Sequence, residues 1–141
     1  MPLPKILLVD DDLSVRESLG RALQREGYEV LLAGSGQEAL ERLCNTEINL
    51  ALLDINMPGL NGWDTLDQML EVNPFLPVII ITAWPDQRAR TSRALAVLEK
   101  PLALVPLLEF LKRVLAETVE ARRRRIATGE SFGLALEAAK Q

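Results

Sequence analysis

Five short, mostly apolar runs separated by stretches with helical periodicity constrain this chain more than any other feature. The runs are Ile6–Val9, Tyr28–Ala33, Ile48–Leu53, Val78–Ile81 and Ala96–Leu98. Each is too short for a globular helix, and most are apolar on consecutive residues, so the sheet they form is covered on both faces. Between them the period changes. Val15, Leu19, Ala22 and Leu23 fall on one helical face, as do Ala39, Leu40 and Leu43, and then Trp63, Leu66 and Leu70. Gly27 is placed to end the first helix. Ser35, followed three residues later by Glu38, has capping-box spacing for the second. Asn73-Pro74 stops the third. Residues 84–95 are polar, with Arg88, Arg90 and Arg93, and read as a short helix. Leu104–Val119 reads as one long final helix with Pro106 in its first turn, where proline is tolerated. Strands alternating with helices predict an α/β chain: a doubly wound, five-stranded parallel sheet between two helical layers.

Composition narrows the chemistry. The 141 residues are 48% hydrophobic, enough for the core of one domain. There is no histidine, which removes a Ser-His-Asp triad and the commonest transition-metal ligand. The lone Cys44 excludes an internal disulfide and a thiolate zinc cluster, and reads as a small core residue. Net charge is −4, so a nucleic-acid partner is not expected. No apolar run approaches the ~20 residues of a membrane span, and no signal peptide is visible. A cytoplasmic protein with no membrane association is the simple expectation.

What the strands end on carries the functional information. The first ends on Asp10-Asp11-Asp12, the third on Asp54, the fourth on Thr82 and the fifth on Lys100. In an open α/β sheet, ligand sites gather at the carboxyl edge of the strands. Carboxylates, one hydroxyl and one ammonium therefore converge on one rim. Asp12 reads as the N-cap of the first helix rather than as a ligand. Oxygen donors without histidine or cysteine select Mg²⁺, Mn²⁺ or Ca²⁺, and Mg²⁺ suits an open rim because it keeps several waters. A cation there prepares an aspartate to receive a phosphoryl group, since that transfer is mostly positioning and charge neutralisation.

Residues 4–118 resemble the receiver domain of bacterial response regulators, the CheY-like family. The matching motifs are Val9-Asp10-Asp11-Asp12, Leu53-Asp54-Ile55-Asn56-Met57-Pro58-Gly59 with Asn61-Gly62, Ile81-Thr82-Ala83 and Glu99-Lys100-Pro101. The resemblance implies a flavodoxin-like (βα)5 fold. It implies that Asp10, Asp11 and Asp54, with the backbone carbonyl of Asn56, hold Mg²⁺. Asp54 would be the phosphoacceptor, Thr82 and Lys100 would sense the phosphate, and the Lys100–Pro101 bond would be cis. The phosphodonor would be a sensor histidine kinase or a histidine phosphotransfer protein. A homodimer through the face made by the fourth helix, fifth strand and last helix is a further expectation. On this reading residues 1–118 are the receiver domain and residues 119–141 an extension or linker.

The chain also departs from the family pattern. Thr82 and Lys100 are closer than usual by about one helical turn, so the fourth helix should be short or irregular. The residue three before the lysine, usually an aromatic that turns inward with the threonine, is Val97. The phosphoryl chemistry is expected to be kept and the readout altered, with Trp84 a substitute reporter. Two rival functions follow: a phosphorylation-independent scaffold with a receiver fold, and a phosphatase or transferase of the haloacid-dehalogenase type built on Asp10 and Asp12. For the basic block Arg122–Arg125 three readings stand: a solvated helix end, a contact with a partner or with the acidic rim, and a nucleic-acid contact.

Overall fold

A computed structural model describes residues 3–56, 61–83 and 93–128, with only the backbone of Val119. Five strands, β1 (Lys5–Val9), β2 (Glu29–Ala33), β3 (Leu50–Asp54), β4 (Val78–Thr82) and β5 (Ala96–Glu99), form one parallel sheet in the order β2-β1-β3-β4-β5. The described helices are α1 (Leu13–Arg25), α2 (Gly36–Asn45), α3 (Gly62–Val72), α4 (Leu104–Ala116) and α5 (Val119–Thr128). This is the flavodoxin-like α/β fold expected.

The two-residue period of the strands divides the core in two. Ile6 and Leu8 of β1 join Leu50, Leu52, Ile79, Ile81 and Leu98 under Leu23 of α1 and Leu107, Leu111 and Val114 of α4. Leu7 and Val9 point the other way and join Ala51, Leu53, Val78 and Ile80 under Ala39 and Leu43 of α2 and Leu66 and Met69 of α3. Both faces of the sheet are thus dry, which is why its strands read as apolar runs rather than as alternating patterns.

The signals read at Asp12, Ser35 and Gly27 hold, and Asn61 adds a cap not read from the sequence. Asp12 caps α1 by accepting from the N–H groups of Ser14 and Val15. Ser35 caps α2 by accepting from the N–H of Glu38, and Asn61 caps α3 through the N–H of Asp64. Gly27 takes a φ of 93° just after α1, a conformation L side chains disfavour.

Three expectations need correction. The helix expected over Leu104–Val119 ends at Ala116, and a separate helix begins at Val119. Glu117 turns extended (φ −66°, ψ 130°), and Thr118 starts α5 by accepting the Ala121 N–H on its hydroxyl at 3.0 Å. A side-chain cap that competes with the ladder overrides continuous apolar periodicity. Cys44 is exposed, not a core residue. It follows the buried Leu43 by one position, and about 100° of helical rotation turns it from the core to water. The ends of the strands shift too: Tyr28, Ile48 and Asn49 precede β2 and β3, and Asp54 lies inside β3. The helix expected over 84–95 falls mostly on 84–92, outside the described residues.

Candidate functional site at the carboxyl rim of the sheet

The strand order reverses at β1, with β2 on one side and β3 on the other. The crevice at such a switch point lies beyond the carboxyl ends of β1 and β3. Register aligns those ends, with Val9 beside both Ala33 and Leu53, and Asp54 beside Ile81.

Asp10, the first residue after β1, is buried, and so are Asp54 and Thr82. Asp11 is exposed at the mouth. One carboxylate oxygen from each of Asp10, Asp11 and Asp54 lies within 4.8 Å of the others. The Lys100 Nζ donates to Asp54 Oδ2 at 3.4 Å and stands 3.9 Å from Asp10 Oδ2. Asp54 Oδ1 accepts the Asn56 N–H at 3.0 Å, and the Asn56 side-chain amide donates to the Thr82 hydroxyl at 3.4 Å. The Lys100–Pro101 bond is cis, and the Lys100 N–H donates to the Thr82 carbonyl at 2.8 Å.

Burial pushes the Asp10 carboxyl above the usual carboxylate range. The N–H of Asp12 pulls it down, the charge of Asp54 raises it, Lys100 lowers it and Asp11 raises it. Among the described residues one ammonium faces three carboxylates, a set short of positive charge. A small hard cation fits such an oxygen-only donor set.

The loop after β3 depends on a close backbone approach. Gly62 donates its N–H to the Ile55 carbonyl at 3.3 Å. A Cβ on Gly62 would lie 2.5 Å from the Ile55 Cα, closer than real contacts allow. Glycine therefore lets α3 start against the residue that follows Asp54.

Of the residues singled out from sequence, Asp10, Asp11, Asp54, Asn56, Thr82 and Lys100 share this rim. Val97 is half-buried and packs against the core under α2 and α3. Trp84 lies outside the described residues. Asp12 turns to cap α1, so the Asp10–Asp12 pair that a haloacid-dehalogenase reading needs does not form. Sequence reasoning missed Arg16, whose guanidinium donates to the Asp10 carbonyl at 2.7 Å. It also missed Glu117, which pairs with Arg122 at 3.4 Å and Arg125 at 2.9 Å. Two of the block's four arginines, Arg122 and Arg125, thus meet an acid just past the end of α4.

Residues 6–112 match the family model for the response regulator receiver domain. The chain belongs to that family. Curated relatives include the response regulator MprA of Mycobacterium sp. (strain KMS), 38% identical over an alignment of 118 residues, with 81% of this chain and 51% of that protein covered. MprA of Mycobacterium leprae is likewise 38% identical, over 81% of this chain and 52% of its own length. The chain spans about half the length of these relatives. A receiver domain (CheY-like) from Methanospirillum hungatei JF-1 superposes with a TM-score of 0.79 at 30% identity, covering 88% of this chain and 99% of its own. The response regulator TrrA of Thermotoga maritima, solved in complex with Mg²⁺-BeF, gives a TM-score of 0.71 at 30% identity, covering 79% and 99%. Among the described residues no helix is long and apolar enough to cross a membrane.

Proposed function

We propose that this receiver domain is switched by phosphorylation of Asp54, in a reaction that requires Mg²⁺. The observation that carries this reading is the meeting of a buried Asp54 with Asp10, Asp11 and Lys100 on one rim. Asp10, Asp11, Asp54 and the Asn56 carbonyl would hold the ion, and bound Mg²⁺ would neutralise charge on the phosphoryl oxygens. A carboxylate oxygen of Asp54 forms the new bond to phosphorus while the bond from phosphorus to the donor's imidazole nitrogen breaks. The bonding pair leaves with that nitrogen. Lys100, already 3.4 Å from Asp54, supplies a point charge to the transferred group. Thr82, one hydrogen bond from Asn56, donates to it once it arrives.

The donor is a phosphohistidine on a sensor kinase or a phosphotransfer protein, as membership of the receiver family suggests; this chain, with no histidine, does not supply it. The domain accepts and loses a phosphoryl group without turning over a separate substrate. Residues 1–118 carry the switch, and residues 119–141 form an extension or linker. Phosphorylation adds roughly −1.5 to −2 charges, and with valine at 97 the response travels by a route other than the family's threonine–aromatic pair. Incubation with Mg²⁺ and a small phosphodonor, followed by intact-mass measurement, tests the proposal. The wild type should gain one phosphoryl group, and Asp54→Asn should gain none. Equal labelling of both would sink it. A variant Asp54→Asn that matches the wild type in every partner assay would favour a phosphate-independent scaffold.

A further inference from the structure

Two residues beside the rim have no place in that reading and no ordinary structural explanation. Arg16 sits in the first turn of α1. A helix N-terminus disfavours cations, so an arginine there needs a local reason. The second residue is Gly34, which follows β2. Among the described residues only Gly27 has a positive φ, so Gly34 is not needed for its backbone conformation.

The two explain one another. A Cβ on Gly34 would lie 2.8 Å from Arg16 Nη1 and 3.3 Å from its Cζ. The guanidinium is therefore seated in the space a side chain at 34 would fill. From that seat Nη1 donates to the Asp10 carbonyl at 2.7 Å. This carbonyl belongs to the peptide joining Asp10 to Asp11, the two aspartates that flank the cation position. The peptides on either side are held separately: the N–H of Asp10 donates to the Ala33 carbonyl at 3.1 Å, and the N–H of Asp12 donates to the Asp10 carboxylate at 2.9 Å. Arg16 holds the peptide between them, the one that joins the two aspartates. Rotation of that peptide would carry Asp11 away from Asp10 and Asp54.

We propose that Arg16, seated on Gly34, is a positioning residue for cation binding: it sets the peptide between Asp10 and Asp11 so that both carboxylates converge on one ion. The inference rests on the reading that the rim binds Mg²⁺. Residues that orient metal ligands typically contribute about 10-fold or more in affinity.

The test is a Mg²⁺ titration of the full chain, followed by NMR shifts of the rim amides. Wild type, Arg16→Ala, Arg16→Lys, Gly34→Ala and the double variant Arg16→Ala/Gly34→Ala are compared, with melting temperatures taken in the absence of Mg²⁺. Arg16→Ala should raise the Kd for Mg²⁺ about 10-fold, with part of the loss restored by lysine. Gly34→Ala, which touches no ligand, should shift it the same way by displacing the guanidinium. The double variant should be no weaker than Arg16→Ala alone, because the glycine acts only through the arginine. Unchanged affinity in Arg16→Ala and Gly34→Ala, or losses that add in the double variant, would overturn the inference while the rim reading stands. So would a lowered melting temperature with an unchanged Kd. If Arg16→Ala fails to fold, Gly34→Ala and Arg16→Lys decide by the same criteria. Wild-type protein that shows no Mg²⁺-dependent shifts would overturn both.

Discussion

Two carboxylates in this molecule are almost equally withdrawn from water and are settled in opposite ways. The side chain of Glu117, at the corner between α4 and α5, is 10% exposed, and that of Asp10, on the rim, is 5% exposed. Glu117 receives Arg125 at 2.9 Å through Nε and at 3.0 Å through Nη2, and Arg122 at 3.4 Å. The hydrogen bond from Arg125 leads in holding its carboxyl below the usual range, against a smaller opposing effect of burial. Asp10 has one cation at 3.9 Å, itself 35% exposed, and shares it with Asp54. Burial wins there, and the carboxyl is pushed up. Among the described residues, the acid that fastens α5 is neutralised and the acid at the rim is left short of charge. A deficit of this kind marks where a site expects something from outside.

Breaking the settled acid should have the larger effect. Glu117→Gln leaves two half-buried guanidinium groups without their carboxylate, which costs about 2 kcal/mol. The loss should be local, since the pairs join α5 to the end of α4. The other described hold on α5 includes Arg123, whose guanidinium lies 5.1 Å from the Phe75 ring centroid. Hydrogen exchange should show lost protection over 119–128 and little change in the sheet. Because the carboxyl of Glu117 is depressed, its contribution is present above the ordinary glutamate range and is lost as pH falls through its lowered value. Full protection of 119–128 in Glu117→Gln would mean that the arginines do not fasten the helix.

Relieving the unsettled acid should have a smaller effect of opposite sign. Asp10→Asn should stabilise the protein without Mg²⁺ by about 1 kcal/mol, and should abolish stabilisation by Mg²⁺. The sign with pH follows from the raised carboxyl. Folded protein holds the Asp10 proton more tightly than the unfolded chain, so this residue's contribution falls as pH rises from the ordinary aspartate range through the raised value. Mg²⁺ needs the ionised carboxylate, so the shift it causes in melting temperature should grow over the same window. Melting curves with and without Mg²⁺, across acid to neutral pH, measure both trends. An Asp10→Asn protein less stable than wild type throughout would show that the rim carries no deficit.

Legibility in the sequence follows the same division. The sheet was readable because its inner strands are apolar on both faces, as Leu50–Leu53 and Val78–Ile81 are. The rim was readable because the strand order sends Asp10, Asp54, Thr82 and Lys100 to one edge whatever the details of packing. The features that were not readable depend on angles that periodicity does not carry. Leu104 to Val119 keeps an apolar repeat through the corner at Glu117, so nothing in the sequence singled out that acid as the partner of Arg122 and Arg125. Cys44 differs from Leu43 by one step of the helix. Arg16 and Gly34 are 18 positions apart, and only the register of β1 with β2, which sets Val9 beside Ala33, brings them together.

The smallest expected effect sharpens the comparison from the other side. Arg42 and Glu38 form a third acid–base pair, 3.7 Å apart at i,i+4 spacing on α2, with side chains 48% and 46% exposed. The glutamate precedes the arginine, the favourable order for a helix, and also lies in the first turn, where the helix dipole welcomes it. Water screens both charges in either state, and holding two long side chains together costs entropy, so Arg42→Ala should lose about 0.3 kcal/mol. Salt should erase that small loss, because the ions reach an exposed pair freely. It should barely touch the loss in Glu117→Gln, whose partners lie half-buried. Urea denaturation of both variants at low and high salt separates the two. Equal losses that fade together with salt would mean that burial does not distinguish these pairs, and the contrast between Asp10 and Glu117 would then have to rest on the number of partners alone.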